Sequence, residues 1–190
     1  MTGPELYTHK VSIPLPPDDE LRQVLGESYN AAETLNVVKM FAGTHDMCAA
    51  TMGLVRAVFS AEGIDPKVRQ AIILRAAVVL NAPYEWQANV AMSRNNGLSE
   101  TEIECIGSLD ANSQLPVPYV LVCTATDEMC ATGTLTDETL QQLLDAYGQT
   151  ITRKLVLMIA WFNLLSLFLN GCRVPLELTD KIGSRTSPLG

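Results

Sequence analysis

NAPYEWQANVAMSRNNGLSETE, residues 81–102, is the stretch that decides the fold. Pro83 lacks a backbone donor and restricts the residue before it, so one helix ends just before this proline and another begins there. Asn96-Gly97 predicts a left-handed C-cap for the second helix, because glycine tolerates a positive φ. Ser99 and Glu102 have the spacing of a capping box, which indicates a further short helix. Three helix boundaries in so short a stretch favour an all-helical chain.

The segments before this stretch have the same helical character. Asp65 predicts an N-cap, and Pro66 follows at the first helical position, where its missing donor is harmless. The helix it opens, KVRQAIILRAAVVL (67–80), is apolar nearly all round, which is typical of a core helix. Residues 20–42 and 45–63 also carry apolar residues at helical spacing, although Gly26 weakens the first of these segments.

The segments after it complete the bundle. Three more helices are predicted, at 117–131, 136–147 and roughly 150–170. No stretch alternates for long as a half-buried strand would. The sequence therefore predicts an all-α, single-domain bundle of seven or eight helices. The predicted divisions are a proline-rich extended arm at 1–17, the helical domain at 18–178 and a C-terminal tail at 179–190.

Composition narrows the classes of function. The net charge is −8 and the 13 Lys and Arg residues are scattered, which argues against binding to nucleic acid or to an acidic membrane. The N-terminus lacks the apolar core of a secretory signal. The apolar run LVLMIAWFNLLSLFLN (155–170) is interrupted by Asn163 and is shorter than the roughly 20 residues that a bilayer requires. We therefore predict a buried core helix and a soluble, cytoplasmic protein.

The cysteines and histidines do not form a recognisable site. An odd number of cysteines without a CxxC motif favours reduced thiols over a disulfide framework. The only histidines are His9 and His45, and no tight Cys/His group is present, so no metal site is predicted. The five cysteines are Cys48, Cys105, Cys123, Cys130 and Cys172.

Several segments, in order and at matching spacing, resemble the carboxymuconolactone decarboxylase and alkylhydroperoxidase D-like superfamily. They are RQAIILR (69–75), YEW (84–86), GLS (97–99), TDEM (126–129) and FNLLSLFLNGCRVPLE (162–177). Together they cover most of residues 20–178. The resemblance implies the helical fold of that superfamily and a homo-oligomer, commonly a trimer or hexamer.

The resemblance also implies which chemistry this chain lacks. In the peroxidase branch, two cysteines fall on the positions of Ala82 and Glu85, a glutamate on Gln70 and a histidine on Asn89. The tyrosine-glutamate-tryptophan branch lacks the cysteines but commonly keeps the glutamate and the histidine, and both are amides here. No dithiol is available to reduce a peroxide. An amide does not exchange a proton near neutral pH, although it can orient a carbonyl or carboxylate.

Glu85 is the leading candidate for catalysis. A carboxyl group beside Tyr84 and Trp86 in a partly dry pocket would serve as an acid or base. The alternative is that Glu85 is favoured by the helix dipole alone and that its aromatic neighbours are core anchors. We expect one cavity between helices 65–81 and 83–96, bordered by Gln70, Tyr84, Glu85, Trp86 and Asn89. An antiparallel hairpin would, however, place Gln70 and Asn89 nearly two turns out of register.

Two further residues are candidates outside that group. His45 is a second candidate for catalysis, and its alternative is a helix cap or a surface residue. Arg75 lies within an apolar helix, so it pairs with a buried carboxylate or binds an anionic substrate, and the ion pair is favoured. Asp127 is expected to be a structural carboxylate.

Two classes of function remain. The first is an enzyme without cofactor, a decarboxylase, dehydratase, isomerase or cyclase. It would act on a small hydrophobic metabolite with a carbonyl or carboxylate group, in specialised biosynthesis. The second is a non-catalytic helical binding or scaffold protein that kept the fold and lost the chemistry. A homo-oligomer is expected in either case, because helices 68–80 and 154–169 are apolar nearly all round.

Overall fold

The computed structural model describes residues 3–108 and 115–189, which form eight α-helices and no strand. The helices are α1 (Asp18–Leu25), α2 (Asn36–Ala42), α3 (Cys48–Phe59), α4 (Pro66–Val79), α5 (Pro83–Asn95), α6 (Glu100–Gly107), α7 (Val117–Thr132) and α8 (Asp137–Cys172). Two 3₁₀ turns, Gly26–Ser28 and His45–Met47, precede α2 and α3. The predicted all-α class and helix number are confirmed.

Local chemistry sets several of the helix ends. The Asp65 carboxylate accepts a hydrogen bond from the Lys67 backbone N–H at 2.8 Å, which caps α4. Ser99 and Glu102 form the predicted capping box at the start of α6. Gly148, with φ of 70°, breaks the helical geometry inside α8, so this element consists of two helical segments that meet at a kink.

The segment 20–42 is less regular than its apolar spacing suggests. Gly26 has a φ of 59° and ends α1, and residues 29–35 are not helical. Asn30 organises this connection, because its side chain accepts a hydrogen bond from the Ala32 N–H at 3.0 Å. The sequence prediction missed this interruption because turn chemistry at Gly26 and Asn30 prevails over the apolar spacing.

The α4 helix occupies the centre of the domain. Residues 68–77 are all buried, and α4 packs against α5, α6, α7 and α8. A single chain therefore covers the apolar surface of α4, so this helix does not support the oligomer that was inferred from it. Helices α2 and α3 pack on α8 through aromatic pairs. Phe41 of α2 stacks on Phe168 with ring centroids 5.6 Å apart, and Phe59 of α3 meets Phe162 edge-on at 6.2 Å.

Both described ends of the chain lie against the bundle. In the N-terminal arm, the Tyr7 hydroxyl donates to the Asn170 side-chain oxygen at 2.9 Å, and the Ile13 N–H donates to the Cys172 carbonyl at 3.0 Å. At the other end, the Asn95 side chain donates to the carbonyls of Gly183 and Arg185 at 2.8 Å. The C-terminal segment is thus docked on α5.

The α8 helix is long and apolar enough, by length and composition, to cross a membrane, and its most apolar window has a mean hydropathy of 1.9. Half of that window is buried inside the domain. The core helix of a soluble protein has the same properties, and α8 packs against both α4 and α7. The helix extends well beyond the 155–170 run because it continues through the Gly148 kink.

Candidate active site

Tyr84, Glu85 and Trp86 point toward three different neighbours, because successive residues on a helix lie about 100° apart. The Tyr84 hydroxyl donates to the Glu177 carboxylate at 2.6 Å and accepts from the Val37 N–H at 3.0 Å. Trp86 packs so closely on Gly107 that a Cβ there would lie 2.5 Å from the indole ring. Tyr84 and Glu85 both line one cavity, and Glu85 alone of the three presents a carboxyl group to it. Tyr84 and Trp86 are therefore held by their contacts with the protein, and Glu85 is the candidate for chemistry.

The cavity beside Glu85 lies between α2, α3, α5 and α8, on the face of α5 away from α4. Its volume is about 30 Å³, enough for about one water molecule. The fourteen lining residues are Leu35, Val37, Phe41, Val55, Phe59, Tyr84, Glu85, Ala88, Asn89, Met92, Trp161, Phe162, Leu165 and Pro188. Most are aliphatic or aromatic, which gives Glu85 a largely apolar environment.

The Glu85 carboxyl is the one acidic group among these lining residues, and only 3% of the residue is exposed. Its hydrogen-bonding neighbour is the Asn89 amide, whose Nδ2 lies 3.3 Å from Glu85 Oε1. None of the fourteen lining residues is Lys, Arg or His. Burial without a cationic partner raises the pKa of Glu85 from 4.5 to about 8. At neutral pH this carboxyl is mostly protonated, yet it titrates within the physiological range.

Two further polar atoms belong to residues that line the cavity. The Asn89 side-chain oxygen and the Trp161 indole N–H are both buried and form no hydrogen bond within the described protein. Buried polar groups in folded proteins nearly always have partners. With Glu85, these residues supply one titratable acid, one acceptor and one donor. Such a set is suited to orient a small molecule that carries a carbonyl group.

The structure does not bring Gln70 into this cavity. Its side-chain amide donates to the Ser93 hydroxyl at 3.2 Å, between α4 and α5. The bond between Gln70 and Ser93 corresponds to an antiparallel hairpin of α4 and α5 in which Gln70 and Asn89 are offset along the helices. The two amides therefore do not form a pair. The expectation of one cavity between α4 and α5 is wrong for Gln70 and for Trp86, which packs beside Gly107 instead. Tyr84, Glu85 and Asn89 do share a cavity.

Arg75 forms an ion pair instead of facing a ligand. Its Nε and Nη2 atoms lie 2.5 Å and 2.7 Å from the two carboxylate oxygens of Asp127. Its Nη1 donates to the carbonyls of Ile106 and Ser108, at 3.1 Å and 2.7 Å. The guanidinium joins α4, α6 and α7, and Arg75 does not line the Glu85 cavity. The ion pair that the sequence favoured is present, and this geometry gives no support to substrate binding by Arg75, which stays a prediction.

His45 lies on the surface in the 3₁₀ turn before α3. Its side chain is 65% exposed, and its Nε2 lies 3.4 Å from the Glu20 carboxylate. It does not line the cavity that contains Glu85. This placement matches the surface alternative and gives no support to a catalytic role for His45.

Sequence reasoning missed Glu177, which positions the helix that carries Glu85. Its Oε1 accepts from the Tyr84 hydroxyl and from the Asn36 N–H, and its Oε2 lies 2.6 Å from Lys181 Nζ. These bonds hold α5, α2 and the C-terminal segment together. Trp161 and Pro188 were missed as well, because they approach Glu85 from far along the chain. For Glu177, the signal was its place at the end of the segment 162–177.

The cysteines contribute no reactive thiolate to the site. All five are free thiols. Burial raises the pKa of Cys123 to about 12 and that of Cys130 to about 11, so both are protonated at neutral pH. Within residues 3–108 and 115–189, no group of three or more His, Cys, Asp or Glu side chains is placed to hold a metal ion.

Comparison with known proteins relates this geometry to one family. Residues 46–111 match the model of the carboxymuconolactone decarboxylase family. The matched range contains α3 to α6, and therefore Glu85 and Asn89. No curated protein matches the sequence significantly.

Three solved structures share the fold. An uncharacterized peroxidase-related protein with an alkylhydroperoxidase AhpD core, from Ralstonia eutropha, has a TM-score of 0.72 and 17% identity, over 95% of this chain and 100% of its own. A protein of unknown function from Agrobacterium tumefaciens, suggested to be the antioxidant defence protein AhpD, has a TM-score of 0.65 and 21% identity. The match covers 77% of this chain and 99% of that protein. A cysteine-to-alanine variant of the debrominase Bmp8, in complex with 2,3,4-tribromopyrrole, has a TM-score of 0.65 and 14% identity. The match covers 90% of this chain and 94% of the debrominase chain.

Proposed function

We propose that this chain, whose residues 46–111 match the carboxymuconolactone decarboxylase family model and whose fold resembles that of a protein with an alkylhydroperoxidase AhpD core, is a cofactor-independent enzyme that moves a proton on a small carbonyl compound. The observation that supports this most directly is the Glu85 carboxyl, which is buried at a cavity with no cation beside it. A carboxyl in such a place costs stability, and groups with displaced pKa values concentrate at functional sites.

Glu85 acts as the base in its ionised form. The carboxylate takes a proton from the carbon next to the substrate carbonyl, and the C–H electron pair becomes a carbon–carbon double bond. The carbonyl π pair moves onto oxygen, where the Trp161 indole N–H donates a hydrogen bond to the enolate. When the substrate has a β,γ double bond, Glu85 returns the proton to the γ carbon, which gives the conjugated isomer. When it has a β-hydroxyl, the enolate electron pair forms the α,β double bond as the β C–O bond breaks, and the hydroxide takes the proton from Glu85 and leaves as water.

The raised pKa suits this task. A pKa of about 8 leaves roughly a tenth of the molecules ionised at pH 7. Each ionised carboxylate is a stronger base than one in water, because its charge is not stabilised by solvent. The Asn89 amide, 3.3 Å from Glu85 Oε1, donates to the carboxylate and holds its orientation.

The lining favours a substrate whose reacting end is uncharged. A carboxylate placed beside Glu85 would meet no cation among the fourteen lining residues, and an unpaired buried charge is costly. A ketone, an aldehyde or a lactone avoids that cost. The lining aromatic rings favour a flat or cyclic molecule. The debrominase of the same fold, which is in complex with a brominated pyrrole, supports a small ring compound as the ligand.

Proton exchange into deuterated water tests this function on model compounds and does not require the natural substrate. A panel of small cyclic ketones and lactones is incubated with the protein, and loss of the signal of the hydrogens next to the carbonyl is followed by ¹H NMR. The wild-type protein should accelerate exchange on members of the panel, and Glu85→Gln should return it to the buffer rate. Glu100→Gln, an exposed carboxyl on α6, is the matched control. Equal exchange by wild type and Glu85→Gln would refute the proposal.

A binding or scaffold protein is the second candidate, and the small cavity is the observation that favours it. The volume of about 30 Å³ does not accommodate a metabolite without rearrangement. A protein that retains no small molecule through purification, as seen by native mass spectrometry, and accelerates no exchange on the panel would support the scaffold role.

A further inference from the structure

A larger pocket lies next to the Glu85 cavity. Its volume is about 200 Å³, and it is lined in part by Met52 of α3 and by Leu189 near the C-terminus. The two spaces share two lining residues, Leu35 and Pro188. These two side chains form the wall between the cavity and the pocket.

The two halves of this wall differ in how firmly they are held. Leu35 is completely buried in the hydrophobic core at the start of α2. Pro188 belongs to residues 183–189, which we call the C-terminal strap. As a proline it has no N–H with which to hydrogen-bond to the bundle. The Leu189 N–H donates to the Ser187 hydroxyl at 3.3 Å, a bond inside the strap itself. Pro188 is therefore the movable half of the wall.

The strap is held to the bundle by exposed hydrogen bonds, by an ion pair between Arg185 and Glu33 at 3.7 Å, and by packing of Leu189 against the hydrophobic core. Asn95 donates to the Gly183 and Arg185 carbonyls, both at 2.8 Å, and Asn96 donates to the Thr186 carbonyl at 3.2 Å. Arg185 Nη1 donates to the Glu33 carbonyl at 3.0 Å. All four bonds lie at exposed positions, where water replaces a lost partner at small cost. Displacement of the strap would therefore break four exposed hydrogen bonds and the packing of Leu189, and would leave the fully buried Leu35 in place.

We propose that the strap is a removable wall and that the ligand-binding site is the compartment formed when Pro188 moves away. The joined space exceeds 200 Å³, and the volume vacated by Pro188 and Leu189 brings it toward the size of ordinary ligand pockets, about 300 Å³ and above. Glu85 lies at its inner, apolar end. The ligand presents an uncharged ring with a carbonyl group to Glu85, and its remainder fills the outer pocket, whose lining includes Glu33, Arg56 and Arg185. Only the description of this ligand as a substrate rests on the proposed function.

Acrylamide quenching of Trp161 fluorescence tests the wall directly. Trp161 lines the cavity and is buried, so displacement of the strap should increase the access of an uncharged quencher to its indole ring. The measurement uses a Trp86→Phe background, in which Trp161 is the one remaining tryptophan. Three variants loosen the strap: Pro188→Gly, Arg185→Ala, and a chain that ends at residue 183. Arg22→Ala, which removes an exposed arginine of α1, is the matched control.

We expect the quenching constant to rise at least about threefold in the strap variants and to remain at the wild-type value in Arg22→Ala. A ¹³C NMR titration should show the pKa of Glu85 falling toward 4.5 in the shortened chain, because water then reaches the carboxyl. Unchanged quenching in Pro188→Gly and Arg185→Ala would overturn the proposal, whatever the shortened chain does. The experiment uses no substrate, so its outcome is independent of whether Glu85 catalyses proton exchange.

Discussion

Replacement of Glu85 by glutamine should stabilise the protein, and the gain should grow with pH. The carboxyl releases its proton at a pKa of about 8 in the folded chain, against 4.5 as its ordinary value. Between these values the unfolded chain has lost the proton while the folded chain still binds it. The unfolded state therefore binds fewer protons, and the free energy of unfolding of the wild type falls as pH rises through this window. Glutamine has no proton to lose and escapes the penalty.

The size of the effect follows from the two pKa values. Each pH unit inside the window costs about 1.4 kcal/mol. At pH 7 the raised pKa of Glu85 lowers the free energy of unfolding by about 3 kcal/mol, and at pH 5 it lowers it by less than about 1 kcal/mol. Because about 1 kcal/mol shifts the Tm of a domain of this size by roughly 2–4 °C, Glu85→Gln should raise Tm by roughly 6–12 °C at pH 7. Glutamine also preserves the side-chain oxygen that accepts from Asn89 Nδ2.

Urea unfolding followed by circular dichroism at pH 5, 6, 7 and 8 measures this difference. The control is Glu100→Gln, since the hydrogen bond from Arg94 lowers the pKa of Glu100. That exposed carboxyl stabilises the fold when ionised, so its replacement should not become favourable as pH rises. A Glu85→Gln variant whose stability difference is constant across the four pH values, or negative at pH 8, would show that Glu85 ionises freely and would refute the reasoning.

Three further predictions address activity, redox chemistry and assembly. The rate of Glu85-dependent proton exchange should rise roughly tenfold per pH unit below the pKa of about 8 and level off above it, and a pH–rate profile that falls through this range would contradict a base. The protein should show no dithiol-dependent peroxide turnover in a coupled reductase assay, and turnover that disappears in Cys130→Ser would contradict this. We also propose a homo-oligomer formed through α8, where Leu157 and Leu164 are 58% and 57% exposed. Light scattering should show that the Leu157→Asp variant dissociates. The Leu178→Asp variant, changed at a 98% exposed position outside the helices, should stay assembled.

Helix ends were predictable because their causes are local. Asp65, Ser99 and Gly148 each act on a backbone within a few residues of themselves, so the sequence alone displays both the group and its target. The register of the hairpin was predictable for the same reason. A short connection at 81–83 places Gln70 opposite Ser93 and away from Asn89, as the hydrogen bond between Gln70 and Ser93 shows.

The cavity was not predictable, because most of its wall comes from distant parts of the chain. Val55, Trp161 and Pro188 reach Glu85 from α3, α8 and the C-terminal strap, and no local pattern records those contacts. Part of the error was avoidable. Three consecutive helical residues lie about 100° apart, so Tyr84, Glu85 and Trp86 were unable to face one pocket together. The apolar surface of α4 likewise does not indicate an oligomer, since its residues 68–77 are buried by helices of the same chain.

Two polar residues of the cavity fall on positions that the resemblance assigns to the thiol branch of the superfamily. Glu85 occupies the place of the second cysteine of the thiol branch, and Asn89, one helical turn later, occupies the place of its histidine. The structure places both residues at the same cavity, where the resemblance aligns a carboxyl with a thiol and an amide with an imidazole. A protein that serves only as a scaffold gains nothing from this change. A buried acid that lowers stability by about 3 kcal/mol at neutral pH, beside an amide oxygen and an indole N–H without partners, is a costly arrangement. An apolar side chain at position 85 would remove that cost, so the retained carboxyl favours the enzyme over the scaffold.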